Sequence, residues 1–380
     1  MGALVPKGMG VVARSYFERV FYFDVPSRQD LAGQCNADDV GEPPATNAFT
    51  RAPDMPNART FDPVAILLND GRVLVAGGMK PDHGWVEPID IFDPEANTWK
   101  TAGKMLPGTR IADAVALMDG GVLFTTEEGG SEALLRFDLL KGSMEPVGPH
   151  SLVVNGSPLA TTLQDGKVLI THLDYGGPNS QRPNAFLFDP ISRTTNPLPR
   201  MAQNRSLHQA TLLQDGRVLI TGGAEGAPSA ELFNPKKGAF EPAGEMLAPR
   251  SLHRAVALFD GRVLVFGGLT ASMRASLPSI PLLGKTPKEI KKILSASPRP
   301  TQSLSEAVCE IFDPISNRFS EAPPPPFLEH AGMGPRTGVH ILLQDGRVLL
   351  LSLDGPIAFD PVHLTWNPIQ PASSQAATVR

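Results

Sequence analysis

The chain has 380 residues, and its 34 basic and 39 acidic side chains leave a formal net charge of −5. That balance argues against a general binder of nucleic acid or of anionic membranes, which draws on a basic excess. Hydrophobic residues make up 41% and the only cysteines are Cys35 and Cys309, so a packed core is expected, and a disulfide scaffold or a four-thiolate zinc site is excluded. No run approaches the roughly 18 apolar residues of a membrane-spanning helix. Met1 to Val12 is broken by Pro6, Gly8 and Gly10 and lacks the apolar core of a secretory signal. A secreted or cell-envelope location would follow only if further sequence preceded Met1.

The N-terminal stretch, residues 1–55, holds short pieces that gain meaning from the rest of the chain. Ala3 to Gly8 and Gly10 to Arg14 are apolar fragments, Phe23-Asp24 is followed by Val25-Pro26-Ser27, and Asn47-Ala48-Phe49 precedes Met55 and Arg59. From there on the chain repeats itself. Asp-Gly followed by an apolar run occurs at Asp70, Asp119, Asp165, Asp215, Asp260 and Asp345. These residues mark repeats 1 to 6 in chain order. Successive intervals are 49, 46, 50, 45 and 85 residues, the last being one period plus an insertion.

Each Asp-Gly is followed by a second anchor, Phe-Asp or Phe-Asn, at Phe92, Phe137, Phe188, Phe233, Phe312 and Phe359. Seven residues further on stand Trp99, Met144, Thr195, Phe240, Phe319 and Trp366. An Asp-Gly between apolar runs predicts a β-hairpin, here of type I′, because Gly takes up positive φ freely. Asn234-Pro235 ends a third strand, since Pro cannot donate to a ladder. Four short strands per unit of about 47 residues predict a propeller blade. The fold class expected is all-β, a single β-propeller over residues 1–380. Seven four-stranded blades are expected, the first a degenerate copy in residues 1–55; the alternative is six blades with an N-terminal arm.

Leu212 to Gly223, reading Leu-Leu-Gln-Asp-Gly-Arg-Val-Leu-Ile-Thr-Gly-Gly, then Ala-Glu-Leu-Phe-Asn-Pro and an aromatic, resembles the kelch repeat. This version is similar to that of bacterial kelch proteins and of the galactose oxidase central domain, and the resemblance spans residues 55–370. The double Gly stands at 77–78, 222–223 and 267–268, but is Thr126-Glu127 in repeat 2 and Ser352-Leu353 in repeat 6.

With strands lettered a to d from the axis outward, antiparallel order puts the a–b hairpins and c–d turns on one face. The b–c and d–a loops share the other, which in the galactose oxidase family carries the site. Three features fall there. Arg59, Arg110, Arg205, Arg250 and Arg336 each lie shortly before a first strand, three to five residues after Met55, Met105, Met201, Met246 and Met333. Together they would make an anion-attracting ring, or each would pair with a carboxylate or loop carbonyl of the next blade. His208 and His253 stand seven residues before their hairpin Asp, and His340 five before its own. They would point inward, where imidazoles either ligate a metal or are hydrogen-bonded within the fold; the second reading is preferred and no metal is expected. The insertion Leu269 to Ser305 is basic and carries Thr286-Pro287-Lys288-Glu289, a helix-start signature that predicts a short helix over 287–295.

Members of the galactose oxidase family hold copper with two Tyr and two His and cross-link one Tyr to a Cys. His208 and His253 match one of those histidines, but Leu207 and Leu252 stand where its Tyr neighbour would be. Tyr16, Tyr22 and Tyr175 are the only tyrosines, and none adjoins a matching His. The expected function is therefore a non-enzymatic module without cofactor, binding a protein or carbohydrate partner, possibly an acidic one, on the b–c/d–a face. The alternative is a diverged galactose oxidase-like, carbohydrate-active enzyme.

Overall fold

The structure is a computed structural model that describes residues 10–14, 20–24, 49–51, 53–59, 61–80, 84–126, 134–147, 158–174, 182–224, 226–268, 309–326, 339–343, 345–352 and 355–368. Among these, every regular element is a β-strand, and the strands group into seven antiparallel sheets. Six are four-stranded and follow the repeats. Repeat 1 comprises Phe61–Leu67, Val73–Met79, Pro88–Asp93 and Thr98–Lys104; repeat 2 comprises Ile111–Ala116, Val122–Thr126, Leu134–Asp138 and Ser143–Pro146. Repeat 3 is Leu159–Thr162, Val168–Thr171, Ala185–Asp189 and Thr194–Pro197, and repeat 4 is Gln209–Leu212, Val218–Thr221, Ala230–Asn234 and Ala239–Pro242. Repeat 5 is Arg254–Ala257, Val263–Phe266, Cys309–Asp313 and Arg318–Ala322, and repeat 6 is Val339–Leu342, Val348–Ser352, Gly355–Asp360 and Thr365–Pro368. The seventh sheet pairs Gly10–Arg14, Val20–Asp24 and Phe49–Arg51. The fragment at Ala3–Gly8 and the insertion with its expected helix lie outside the described residues.

In every four-stranded sheet the strands lie side by side in chain order, so strand a is one edge and strand d the other. The first strands of consecutive repeats adjoin one another from repeat 1 to repeat 6, and Gly10–Arg14 lies against Val339–Leu342. Strand a is therefore the inner one throughout. The c-strand anchors Phe92, Phe137, Phe188, Phe233, Phe312 and Phe359 are all fully buried. Four of them pair directly with the aromatic seven residues on, at 5.1 Å for Phe92 and Trp99 and 4.9 Å for Phe312 and Phe319. Tilted aromatic pairs at this distance add to the area they bury. Blade joins blade through the d-strand as well, where Trp99 Nε1 donates to Pro53 O and Trp366 Nε1 to Pro323 O.

The hairpins differ from the expected type I′. In repeat 4 the Gly216 N–H donates to Leu213 O at 3.0 Å, and only the glycine has positive φ, 87°. This is a type I turn followed by a left-handed Gly, the three-residue loop with a bulge. The reason is Asp215, whose carboxylate accepts the Arg217 N–H at 3.0 Å from a position with ordinary negative φ. The same turn recurs at Gly71, Gly120, Gly166, Gly261 and Gly346.

Candidate functional site

The d–a loops and the ends of the b-strands share one face, as strand order requires. Met201 and Met246 are buried and root their loops. Four residues further along the chain, the arginine turns back into its own sheet. Arg205 Nη1 donates to Gly222 O at 2.7 Å and to Ser229 O at 2.9 Å, while Nε and Nη2 both reach Glu231 Oε1, at 3.0 and 2.7 Å. The other Glu231 oxygen accepts the Ala202 N–H at 2.7 Å. Repeat 5 copies this plan: Arg250 reaches Gly267 O and Glu310, and Glu310 accepts the Leu247 N–H. Repeat 1 does so with a shorter acid, Arg59 bonding Gly77 O, Pro88 O and Asp90, each at 2.6 Å. Asp90 is further held by Asn57 and Thr101.

Arg59 and Arg205 are wholly buried and Arg250 is 4% exposed. Of the two arrangements expected from sequence, these three follow the pairing one and not the open guanidinium ring; each is enclosed and faces a carboxylate of the blade it leads into. The acid always sits two residues before the Phe anchor, a signal that pairing of repeat positions would have exposed. Arg336 lies outside the described residues, and its repeat carries Ile357 at the acid's position.

His208 and His253 are also buried. His208 Nε2 lies 2.7 Å from Thr171 Oγ1 and His253 Nε2 lies 2.8 Å from Thr221 Oγ1. In both cases the threonine ends strand b of the preceding repeat. The two imidazoles therefore tie neighbouring blades. Burial pushes the His208 pKa down to about 3, helped by the charge on Arg205, and the His253 pKa falls well below its ordinary value for the same first reason. Both rings are neutral. Leu207 and Leu252, just before them, adopt left-handed φ of 57° and 59°. A Cβ on Gly222 would collide with Arg250 O and lie 2.7 Å from the His253 ring, which is why the double glycine is needed there. For His340 the structure gives a place in strand Val339–Leu342, paired with Leu350.

Sequence reasoning passed over His172, which occupies the first Gly position in repeat 3. It is buried, stacks on Phe186 at 5.5 Å, and its Nδ1 lies 2.9 Å from Leu173 O. Nearby, buried Asp174 accepts Arg200 Nη1 at 2.7 Å.

Repeat 2 breaks the plan. The interval from Met105 to Arg110 is five residues, against four for Arg59, Arg205 and Arg250, so Thr109 takes the buried place and Arg110 is exposed. The acid's position is Leu135, and Ala112 stands at the offset of His208 and His253. A small cleft remains, lined by Gly77, Gly78, Trp85, Met105, Thr109 and Arg110 among others. The Arg110 guanidinium stands 5.2 Å from the centroid of the Trp85 ring, and Trp85 is 38% exposed.

No protein-family model and no curated protein matches the sequence. Among solved structures, a fungal alcohol oxidase of the AA5 family, determined with copper, superposes with a TM-score of 0.59. It is 15% identical and covers 92% of this chain and 68% of its own. The fold is a β-propeller. A second neighbour, YjhT, gives a TM-score of 0.47 at 14% identity over 70% of this chain and 92% of its own.

The copper of that oxidase does not fit the described residues of this propeller. His208 and His253 sit at two different blade junctions, each with Nε2 engaged by a threonine. Leu207 and Leu252 offer no phenolate beside them. Among the described residues, no three His, Cys, Asp or Glu side chains converge as a ligand set.

Proposed function

We propose that this chain is a non-enzymatic propeller that binds a protein or glycan partner on the face formed by its b–c and d–a loops. One observation carries this reading: the histidines and three arginines that chemistry would use are instead built into the loops' foundations. Buried arginine–carboxylate pairs and imidazole–threonine bonds hold the loop backbones in place, and loops so held form a rigid display surface. What that surface presents to solvent includes Trp85 and Arg110, residue types that dominate binding hot spots.

The test uses position-specific masking. In a Cys35→Ser background, a bulky polyethylene glycol maleimide is attached to Gln203→Cys on the d–a loop, or to Ile191→Cys on the opposite face. Binding to an array of acidic peptides and oligosaccharides should be lost with the first and kept with the second. Equal binding by both conjugates overturns the choice of face. Reproducible turnover on a panel of carbohydrates, alcohols and glycosides, abolished by His208→Ala, overturns the non-enzymatic reading in favour of the diverged oxidase.

A further inference from the structure

We propose that the face carrying the a–b hairpins and the c–d turns is a self-association surface. A second copy of this chain docks on it face to face, about a two-fold axis running between repeats 2 and 3.

The residue three positions beyond each Phe anchor stands at the tip of a c–d turn. In repeats 1 to 6 it reads Glu95, Leu140, Ile191, Lys236, Ile315 and Val362. All six are exposed, Leu140 at 99% and Ile191 at 94%. Every tip is held in the same way: its backbone N–H donates to the side chain of the Asp or Asn two residues earlier, at 2.8–3.1 Å. Tips so fixed lose little freedom when a partner covers them. Among the described residues, seven of the nine exposed large hydrophobic side chains lie on this face, Trp85 and Leu247 being the exceptions. At on the order of 100 Å² each, they offer about 700 Å² per copy, close to the roughly 800 Å² that each partner gives to a standard interface.

The ions of the face choose the occupant. In all six repeats the hairpin Asp is paired with an Arg or Lys of its own repeat. On the c–d turns Lys141 pairs with Asp138, Arg193 with Glu145 and Lys237 with Glu241. Among the described residues Glu95 and Lys236 stand outside these ion pairs, both of them exposed. Repeats 1 to 4 follow one another around the ring. Turning a second copy over about the axis between repeats 2 and 3 lays repeat 1 on the partner's repeat 4, and repeat 2 on the partner's repeat 3. Glu95 then faces the partner's Lys236, and Leu140 faces the partner's Ile191, each contact made twice. The order Glu, Leu, Ile, Lys is its own complement, which a two-fold interface demands and a foreign protein does not. A bilayer would instead have to take in the Glu95 carboxylate unpaired. Docking in this way leaves the b–c/d–a face of both copies pointing outward.

Sedimentation velocity of the full-length protein at about 100 μM should show a dimer, since at that concentration even a micromolar Kd leaves mostly dimer. Glu95→Lys and Lys236→Glu each set like charges against one another twice, and each should weaken association by about tenfold or more. Mixed in equal amounts, the two variants should form a heterodimer, because each new charge then meets its opposite on the other variant. Ile191→Asp should sediment as a monomer. A wild-type monomer at this concentration overturns the proposal. So does a dimer that neither charge reversal weakens, or a mixture of the two variants that fails to pair. Neutral phosphatidylcholine vesicles form the second arm: a wild-type monomer that they take up, and an Ile191→Asp variant that they do not, would assign the face to a membrane and overturn the proposal as well.

Discussion

Thr171 Oγ1 and His208 Nε2 lie 2.7 Å apart across the junction of repeats 3 and 4, and both residues are buried. Thr221 and His253 repeat the contact one blade later. Where strand b has Ala76, the next blade has Ala112 in place of the histidine, and where it has Thr125 the hydroxyl reaches Pro158 O. His208 and His253 thus each stand opposite a threonine of the preceding blade.

That contact sets acid sensitivity. The ordinary His208 pKa is 6.5 and burial lowers it to about 3 in the folded chain. The unfolded chain thus takes up a proton that the folded one refuses. Stability conferred by the neutral ring is complete above pH 6.5 and is lost as pH falls toward 3, with a limiting slope of about 1.4 kcal/mol per pH unit for each such histidine. Denaturant midpoints measured from pH 7.5 to 4 should show this slope, shallower in His208→Gln. An equal slope in both proteins would assign the acid sensitivity elsewhere. At pH 7.5, Thr171→Val should cost about 1–3 kcal/mol by leaving the ring nitrogen unpartnered.

The Arg205–Glu231 pair should behave as a buried pair. Arg205→Met strands the carboxylate, and a loss of about 3–5 kcal/mol is expected. Replacing both, as Arg205→Met with Glu231→Leu, should recover part of the loss, though the N–H groups of Ala202 and Gln203 then lose their acceptor. Urea titrations of the two variants decide it. If Arg205→Met leaves stability unchanged and reduces partner binding, the arginine is a contact residue after all.

Asp113 predicts the opposite pH trend. Its carboxyl is raised from 3.8 to about 6, chiefly by burial, with the Ala160 N–H and the charge of Arg254 working against the rise. Stability linked to its protonated form is complete below pH 3.8 and lost as pH rises through 6. Asp113→Asn should therefore gain on wild type between pH 4 and pH 7, by on the order of 2–3 kcal/mol. A pH-independent difference between the two proteins would contradict this.

Cys309 is a free thiol, fully buried, and burial pushes its pKa up to about 12. Thiolate is the reactive form, so in Cys35→Ser protein Cys309 should resist maleimide at pH 7.5 and react only on unfolding. Labelling should then track the fluorescence transition in urea. Fast labelling of the native protein would mean that repeat 5 opens locally.

The sequence by itself determined the blade. Asp-Gly hairpins, the Phe anchor and its aromatic partner recur because each unit solves the same local problem of turn geometry and cross-strand packing. Those interactions span a few tens of residues, so a periodic sequence displays them. The structure places Arg59, Arg205, Arg250, His208 and His253 at loop ends before the inner strands. Only the tertiary structure decided what they do. Arg250 meets Glu310 sixty residues on, His208 meets Thr171 in the preceding blade, and the charge of Arg254 acts on Asp113 from three repeats away. Whether a guanidinium faces solvent or a carboxylate depends on desolvation and on which blade lies beside it. One extra residue between Met105 and Arg110 reverses the outcome, because it shifts Thr109 into the enclosed position and leaves the arginine outside on the indole of Trp85.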